Sequence, residues 1–264
     1  MPEGDTLFRT AAGLRPHLVG RPVTAARATR PGPQIERVVG ATVDAVESHG
    51  KNLVIRFDNG LELRTHMRMT GSWHRYRPGE RWRRPPARAR VVLEVPGAVA
   101  VCFDAPVVEL FEQRAEALHP GLATLGPDLL DPAYGEAHAA EALRRLRDPA
   151  RAGMSISSAL LDQRAVAGIG NIWRNETLFA ERVDPLAPVG SLDDATLERL
   201  VATARRLLVA SARAAPGRAR LRVYRRIGRP CPRCGTIIRS AALPAEVPRT
   251  TYWCPTCQPA EARP

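Results

Sequence analysis

Lysine is nearly absent from this chain: of its 39 basic residues, all but Lys51 are arginine. So skewed a ratio points to a coding bias that has replaced lysine wherever a generic positive charge suffices. An ammonium, unlike a guanidinium, can lose its proton and act as acid or base. Composition alone gives equal standing to chance survival of one lysine and to a chemical need for it. Long apolar runs are also missing, and none approaches the length of a membrane span. The opening residues, MPEGDTLFRT, place an acidic pair where a signal peptide needs a basic start and an apolar stretch. These absences predict a cytosolic protein that engages no membrane and keeps its own N-terminus. Cysteine is sparse, five residues in all, and four lie close together near the end: Cys231, Cys234, Cys254 and Cys257. In a reducing compartment they read as metal ligands rather than disulfides. Cys102, inside the apolar stretch AVAVCF, reads as a buried structural thiol. No internal repeat occurs, and no low-complexity tract apart from an enrichment in Arg and Ala.

The positive charge is abundant. A formal net charge of +12 favours a large anionic partner, and its dispersal along the chain fits a phosphate-tracking surface better than a membrane-docking patch. With 264 residues, 44% of them hydrophobic, there is material for two modest cores and a small appendage. The spacing of Leu7, Ala11, Leu14 and Leu18 predicts a helix capped by Asp5 or Thr6 that ends before Gly20 and Pro22. Its positive end favours an anion beside residues 2 and 3 and disfavours protonation of a nearby amine. From Val23 to about Phe111 the pattern turns to strands. LVIRF and LELRTHM flank Asp58-Asn59-Gly60, and RVVLEV and AVAVCF flank Pro96-Gly97, which predicts two hairpins in an antiparallel sheet or sandwich. Between them RYRPGERWRRPPARAR reads as an exposed basic loop. LGPDLLDP, around Leu125 to Pro132, reads as a linker into a helical half with helices near 136–147, 154–163 and 191–214. The last has Ser191 and Asp194 spaced as a capping box.

Three features carry chemistry. Cys-x2-Cys and a second Cys-x2-Cys, separated by nineteen residues, can place four thiolates on one tetrahedral Zn2+. Four sulfur ligands leave no open position, so this metal is structural. In LLDQRAVAGIGNIWRNETLF, residues 160–179, a helical run breaks at Gly168-Ile169-Gly170-Asn171 and resumes, presenting backbone amides that can cradle a phosphate. Proline at position 2 permits removal of Met1. It leaves a secondary amine able to form an iminium with a sugar carbon, with Glu3 beside it to move protons.

Together these features resemble the formamidopyrimidine-DNA glycosylase and endonuclease VIII family over essentially the full length. MPEG, GKNL around Lys51, LLDQ-x4-GIGN and PRTTYWCPTCQ carry the likeness. The resemblance implies an α+β multidomain protein: an N-terminal helix with an antiparallel β-sandwich over residues 1–130, a helical helix-two-turn-helix domain over 131–222, and a four-cysteine zinc finger hairpin over 223–264. Damaged double-stranded DNA bound across the cleft between the two halves is the implied partner. A monomer in the bacterial cytoplasm, associated with the nucleoid, is the implied setting. The implied activity is that of a bifunctional glycosylase and abasic-site lyase, with base flipping, attack by Pro2 and strand cleavage by successive elimination. Pro2 is then the Schiff-base nucleophile, Glu3 the acid/base carboxylate, Lys51 the lysine that assists β-elimination, and Arg249 the finger arginine that grips the phosphates and assists δ-elimination. Asn171 and Gly170 match the phosphate-binding turn, and Met69, with Arg68 beside it, matches the wedge that fills the space left by the flipped base. MPEG resembles the endonuclease VIII branch and favours oxidised pyrimidines, while His66-Met67-Arg68-Met69-Thr70-Gly71 is closer to the purine branch. FDAPVVELFE lacks the purine branch's Arg-x-Phe, and Thr124-Leu125 precedes Gly126 where some relatives carry arginine. The alternatives are the same enzyme with a purine preference, or a non-catalytic, zinc-dependent protein that binds damaged DNA. For His66 the expected role is core packing or phosphate contact.

Overall fold

The structure, a computed structural model, describes residues 2–29, 32–215, 217, 219–243 and 249–260. It divides into two units, Met1–Thr124 and Leu125–Pro264.

The first unit begins with helix α1 (Gly4–Leu18), whose Leu7, Ala11, Leu14 and Leu18 are all buried, as their spacing predicts. Its cap lies earlier than expected. Glu3 has extended backbone, and its carbonyl accepts the amides of Thr6 and Leu7 at 2.9 and 3.1 Å. Asp5 instead sits inside the first turn, where it accepts the Thr6 amide and pairs with Arg9 at 3.4 Å. The helix's positive end stabilises a carboxylate there without its being the cap.

Eight strands follow: β1 (Ala25–Ala28), β2 (Val43–His49), β3 (Asn52–Phe57), β4 (Leu61–His66), β5 (Ser72–Tyr76), β6 (Ala89–Val95), β7 (Ala98–Phe103) and β8 (Val107–Glu112). They form two four-stranded antiparallel sheets, ordered β1-β6-β7-β5 and β2-β3-β4-β8. The two expected hairpins are β3–β4 and β6–β7, turned by Gly60 and Gly97 at φ +78° and +81°. Leu53, Ile55 and Leu63 from one sheet meet Leu93, Ala100 and Cys102 from the other, and the apolar face of α1 joins the same core. Burial pushes the Cys102 thiol far up, so it stays protonated and inert, as a structural cysteine should. The basic segment is only partly a solvated loop. Trp82 folds back to stack on Tyr76 and meet Phe103 edge-on, building a small second core with Val92, Val99 and Val101.

The second unit holds α2 (Glu136–Leu146), α3 (Ile156–Ala159), α4 (Asn171–Ala180) and α5 (Asp194–Arg213), then strands β9 (Arg239–Leu243) and β10 (Arg249–Trp253), paired antiparallel. The expected middle helix shrinks to the single turn α3, capped by Ser155. Helix α5 starts at Asp193, whose carboxylate accepts the Thr196 amide at 2.7 Å. Ser191 is drawn into the preceding turn, where its hydroxyl donates to the Pro188 carbonyl, so the expected capping box does not form. Leu125–Pro132 is no loose linker: Leu129 and Leu130 are buried, and Asp128 bridges to Ala167. A Cβ on Gly126 would lie 2.3 Å from the Ala165 carbonyl oxygen, which explains glycine there. Among the described residues no helix is long and apolar enough to cross a membrane.

Candidate active site and metal centre

Glu3 is 1% exposed and Pro2 half-buried, both fixed by the start of α1. The helix runs antiparallel to β2. At its far end Gly20 donates to the Val43 carbonyl, and the Arg15 guanidinium donates to the Val46 carbonyl at 2.9 and 3.1 Å. From Arg15 back to Glu3 the helix rises about 18 Å. From Val46 forward to Lys51 the strand advances about 16 Å. Pro2 and Glu3 therefore lie toward the same end of β2 as the turn that carries Lys51.

That turn is held from beneath. Gly50 takes φ +59°, Asn52 donates to the His49 carbonyl at 3.0 Å, and the Arg64 Nε donates to the Asn52 Oδ1 at 2.9 Å. Asn52 and Arg64 are 2% and 8% exposed, so the Lys51 turn rests on a buried polar strut. His66, paired with Asn52 across β3 and β4, is pushed down to about 4 by burial first and then by the charges of Arg64, Lys51 and Arg68. It is neutral near pH 7. Its Nδ1 faces the Arg68 amide at 3.2 Å, an acceptor role that puts the ring proton on Nε2.

His66 opens the tight turn that joins the sheets. Met67 is buried, Arg68 adopts φ +44°, and Met69 stands out 56% exposed, a rare posture for a large apolar side chain. Gly71 closes the turn, where a Cβ would lie 2.8 Å from the Met67 Cα. Thr70 donates to the Asp104 carbonyl, and the Asp104 carboxylate pairs with Arg84 and Arg88, so the turn has a rigid base.

In the second unit Gln163 shapes the helix-two-turn-helix break. Its amide nitrogen donates to the Leu161 and Ile169 carbonyls, and its oxygen accepts the Gly168 amide. Gly168 takes φ +95° and Gly170 caps α4. Asn171, the first residue of α4, is 7% exposed and already engaged: Nδ2 donates to the Thr250 carbonyl, and Oδ1 accepts from Arg174 at 2.6 Å. The buried Arg174 also reaches the Thr250 carbonyl and the Thr251 hydroxyl, and Asn175 accepts the Tyr252 amide at 2.7 Å. One helix face thus grips β10, and Arg249 is the first residue of that strand.

The four cysteines converge, with their sulfurs all within 4.8 Å of one another. Tetrahedral Zn–S bonds of about 2.3 Å need sulfurs about 3.8 Å apart. The pairs Cys231–Cys257 and Cys234–Cys254 lie at 3.9 and 3.5 Å, and the Arg233 amide points at the Cys231 sulfur. The donors fit one zinc ion and leave no place for substrate or water, so the ion is structural.

Comparison with known proteins agrees with this arrangement along the chain. Residues 1–106 match the formamidopyrimidine-DNA glycosylase N-terminal domain, residues 125–221 its H2TH domain, and residues 228–260 the zinc finger found in FPG and IleRS. The probable endonuclease 8 2 of Streptomyces coelicolor is 40% identical over 98% of this chain and 94% of its own length. The chain belongs to the formamidopyrimidine-DNA glycosylase and endonuclease VIII family. A second member, the DNA-(apurinic or apyrimidinic site) lyase Nei2 of Mycolicibacterium smegmatis, is 39% identical over 98% of this chain and all of its own. The Lactococcus lactis Fpg in complex with N7-benzyl-Fapy-dG-containing DNA shares the fold at a TM-score of 0.83 and 20% identity, covering 98% of this chain and 100% of that one.

Within this family member, Pro2, Glu3, Lys51, Arg68 and Met69 lie in the first unit, and Gly170, Asn171, Arg249 and the cysteines in the second. Sequence reasoning missed two buried anchors, the Arg64–Asn52 strut and the separate grips of Arg174 and Asn175 on β10. For the second a signal existed: Asn171, Arg174 and Asn175 are spaced i, i+3 and i+4 and so share one helix face. For the first there was none, because an arginine inside a strand reads as solvated.

Proposed function

We propose that this chain is a bifunctional DNA glycosylase and abasic-site lyase of base excision repair, acting as a monomer in the nucleoid. In this reading oxidised pyrimidines are its preferred substrates. The observation that carries it is the buried Glu3 at the start of α1, next to Pro2. The names of the two bacterial relatives, an endonuclease 8 and an abasic-site lyase, support the same branch as the opening MPEG.

Once Met1 is removed, the Pro2 nitrogen bonds to the anomeric carbon of a flipped nucleotide as the bond from that carbon to the base breaks. The departing base takes the proton that the Pro2 nitrogen gives up on bonding. Glu3 delivers a proton to the sugar ring oxygen as the ring opens, which leaves an iminium between Pro2 and the sugar. The iminium acidifies the adjacent carbon. Loss of its proton, assisted by Lys51, expels the 3′ phosphate, and a second elimination, assisted by Arg249, releases the 5′ phosphate. Water then hydrolyses the iminium. The neutral His66 donates its Nε2 proton to a phosphate. Asn171 offers its remaining amide hydrogen at the Gly170 turn. Met69, with Arg68 beside it, enters the stack in place of the flipped base.

Borohydride reduction of the protein on abasic DNA traps a covalent adduct, and Pro2→Gly or a blocked N-terminus abolishes it. Undiminished trapping by an N-terminally extended protein would sink the mechanism. Duplexes that carry one oxidised pyrimidine or one oxidised purine then test the preference: faster cutting of the purine duplex reverses it.

A further inference from the structure

A cavity of about 660 Å³ lies within the second unit, lined by α4, α5 and the segment leading to the first zinc knuckle. Its lining includes the apolar Phe179, Leu207 and Ala210 and four exposed arginines, Arg206, Arg220, Arg222 and Arg233. None of the four forms an ion pair among the described residues. The one carboxylate in the lining, Glu176, is 5% exposed and accepts the backbone amides of Arg222, Val223 and Tyr224 at 2.8, 3.0 and 2.9 Å. Arg233 is held in place by the Phe179 and Ala180 carbonyls and lies 4.4 Å from the Phe179 ring.

We infer that this cavity docks an acidic, amphipathic segment of a partner protein: one or two large apolar side chains enter the cavity while flanking carboxylates meet the arginines. The inference is independent of the lyase chemistry, because none of these residues belongs to it. Charge complementarity and lining chemistry together select the occupant. A nucleic-acid backbone needs exposed cations but gains nothing from apolar lining residues. A nucleobase needs acceptors and donors for its edges. Here Glu176 already faces amides, and the carbonyls of Phe179 and Ala180 already take Arg233. Apolar anchors surrounded by arginine are the usual core of a protein interface. A second copy of this chain is disfavoured by its net charge of +12.

The test uses the full-length, zinc-loaded protein and a fluorescein-labelled synthetic peptide of roughly twelve residues, Asp and Glu flanking a Leu-Phe pair. Fluorescence anisotropy is expected to show saturable binding that weakens at least about tenfold when Leu-Phe is replaced by Ser-Ser, or in the Arg206→Glu and Ala210→Glu proteins. Cutting of abasic DNA by these variants stays unchanged. Equal binding of the Ser-Ser peptide, unchanged binding to Ala210→Glu, or displacement by a short single-stranded oligonucleotide overturns the proposal. So does sedimentation of the peptide-free protein as a dimer that Arg206→Glu disrupts. Hydrogen exchange on the unaltered protein is a check independent of any variant's folding. Peptide must slow exchange in residues 173–180 and 206–214, and protection confined to other segments refutes the site.

Discussion

Replacing Arg174 with methionine tests how β10 is held against α4. The guanidinium is 1% exposed and reaches Asn171 Oδ1 at 2.6 Å, Thr251 Oγ1 at 2.9 Å and the Thr250 carbonyl at 3.2 Å. Hydrogen bonds to a charged group contribute about 1.5–3 kcal/mol each. The three acceptors described together contribute about 5–9 kcal/mol on that basis. The true loss is smaller, for two reasons. Each acceptor keeps a second partner: Asn175 at Asn171 Oδ1, Asn171 at the Thr250 carbonyl, and Ser157 at the Thr251 hydroxyl. Methionine also removes the cost of keeping a charge out of water. A net destabilisation of about 3 kcal/mol is expected, near the lower end for breaking a buried charged network. Urea denaturation of the zinc-loaded protein measures it, and the melting temperature should fall by roughly 6–12 °C. Below the transition, binding to abasic DNA should weaken about tenfold, a loss of about 1.4 kcal/mol, because Asn171 loses its fixed orientation. Lysine at 174 should not rescue either property, since one ammonium cannot span three separated acceptors. A loss below about 0.5 kcal/mol, within the scatter of ordinary surface changes, together with unchanged DNA affinity, would refute the role given to Arg174.

Glu62 provides a second test. Burial first, and then the neighbouring Glu116, push it up to about 7, while Arg56 opposes the shift. Folded, Glu62 therefore holds its proton more tightly than it does unfolded. Stability from this site is full below the ordinary carboxylate range and is lost as pH rises through about 7. Glu62→Gln should flatten that decline and raise the urea midpoint near pH 8; a variant that is less stable there and keeps the wild-type pH slope would contradict it. Arg56 retains Glu47 and Glu116 as partners in the variant. Metal removal is the third test. A strong chelator should release one zinc per chain and unfold the ribbon, because Cys231, Cys254 and Cys257 pack with Ile238, Val223 and Phe179 in one cluster. DNA binding should fall at least about tenfold and return on adding zinc. Binding that survives full metal release would show that the ribbon contributes nothing to it.

Much of the fold was legible because its signals are local. The α1 stripe, the turns at Gly60 and Gly97 and the paired Cys-x2-Cys knuckles each lie within a few residues of what they specify. Errors clustered at helix ends. Ser191 and Asp193 compete for the start of α5, and the winner is set by the Pro188 carbonyl that captures the Ser191 hydroxyl. Asp5 looked like a cap because acids favour first turns and caps alike. The basic segment looked fully solvated because nothing nearby in sequence shows that Tyr76 and Phe103 leave a place for Trp82.

Chemistry followed the same division. The sequence alone determined which groups exist: one lysine, a proline followed by a glutamate, four sulfurs at zinc spacing and a glycine turn before Asn171. Covalent spacing fixes such features, so they can be read without coordinates. Tertiary structure decided which polar groups are buried and who satisfies them: Arg64, beneath the Lys51 turn, reaches Glu109, and Arg174 lies between Asn171 and β10. The physical reason is that a buried charge persists only when its partners converge from distant parts of the chain. Periodicity and motif spacing carry no record of that convergence, and the fold alone supplies it.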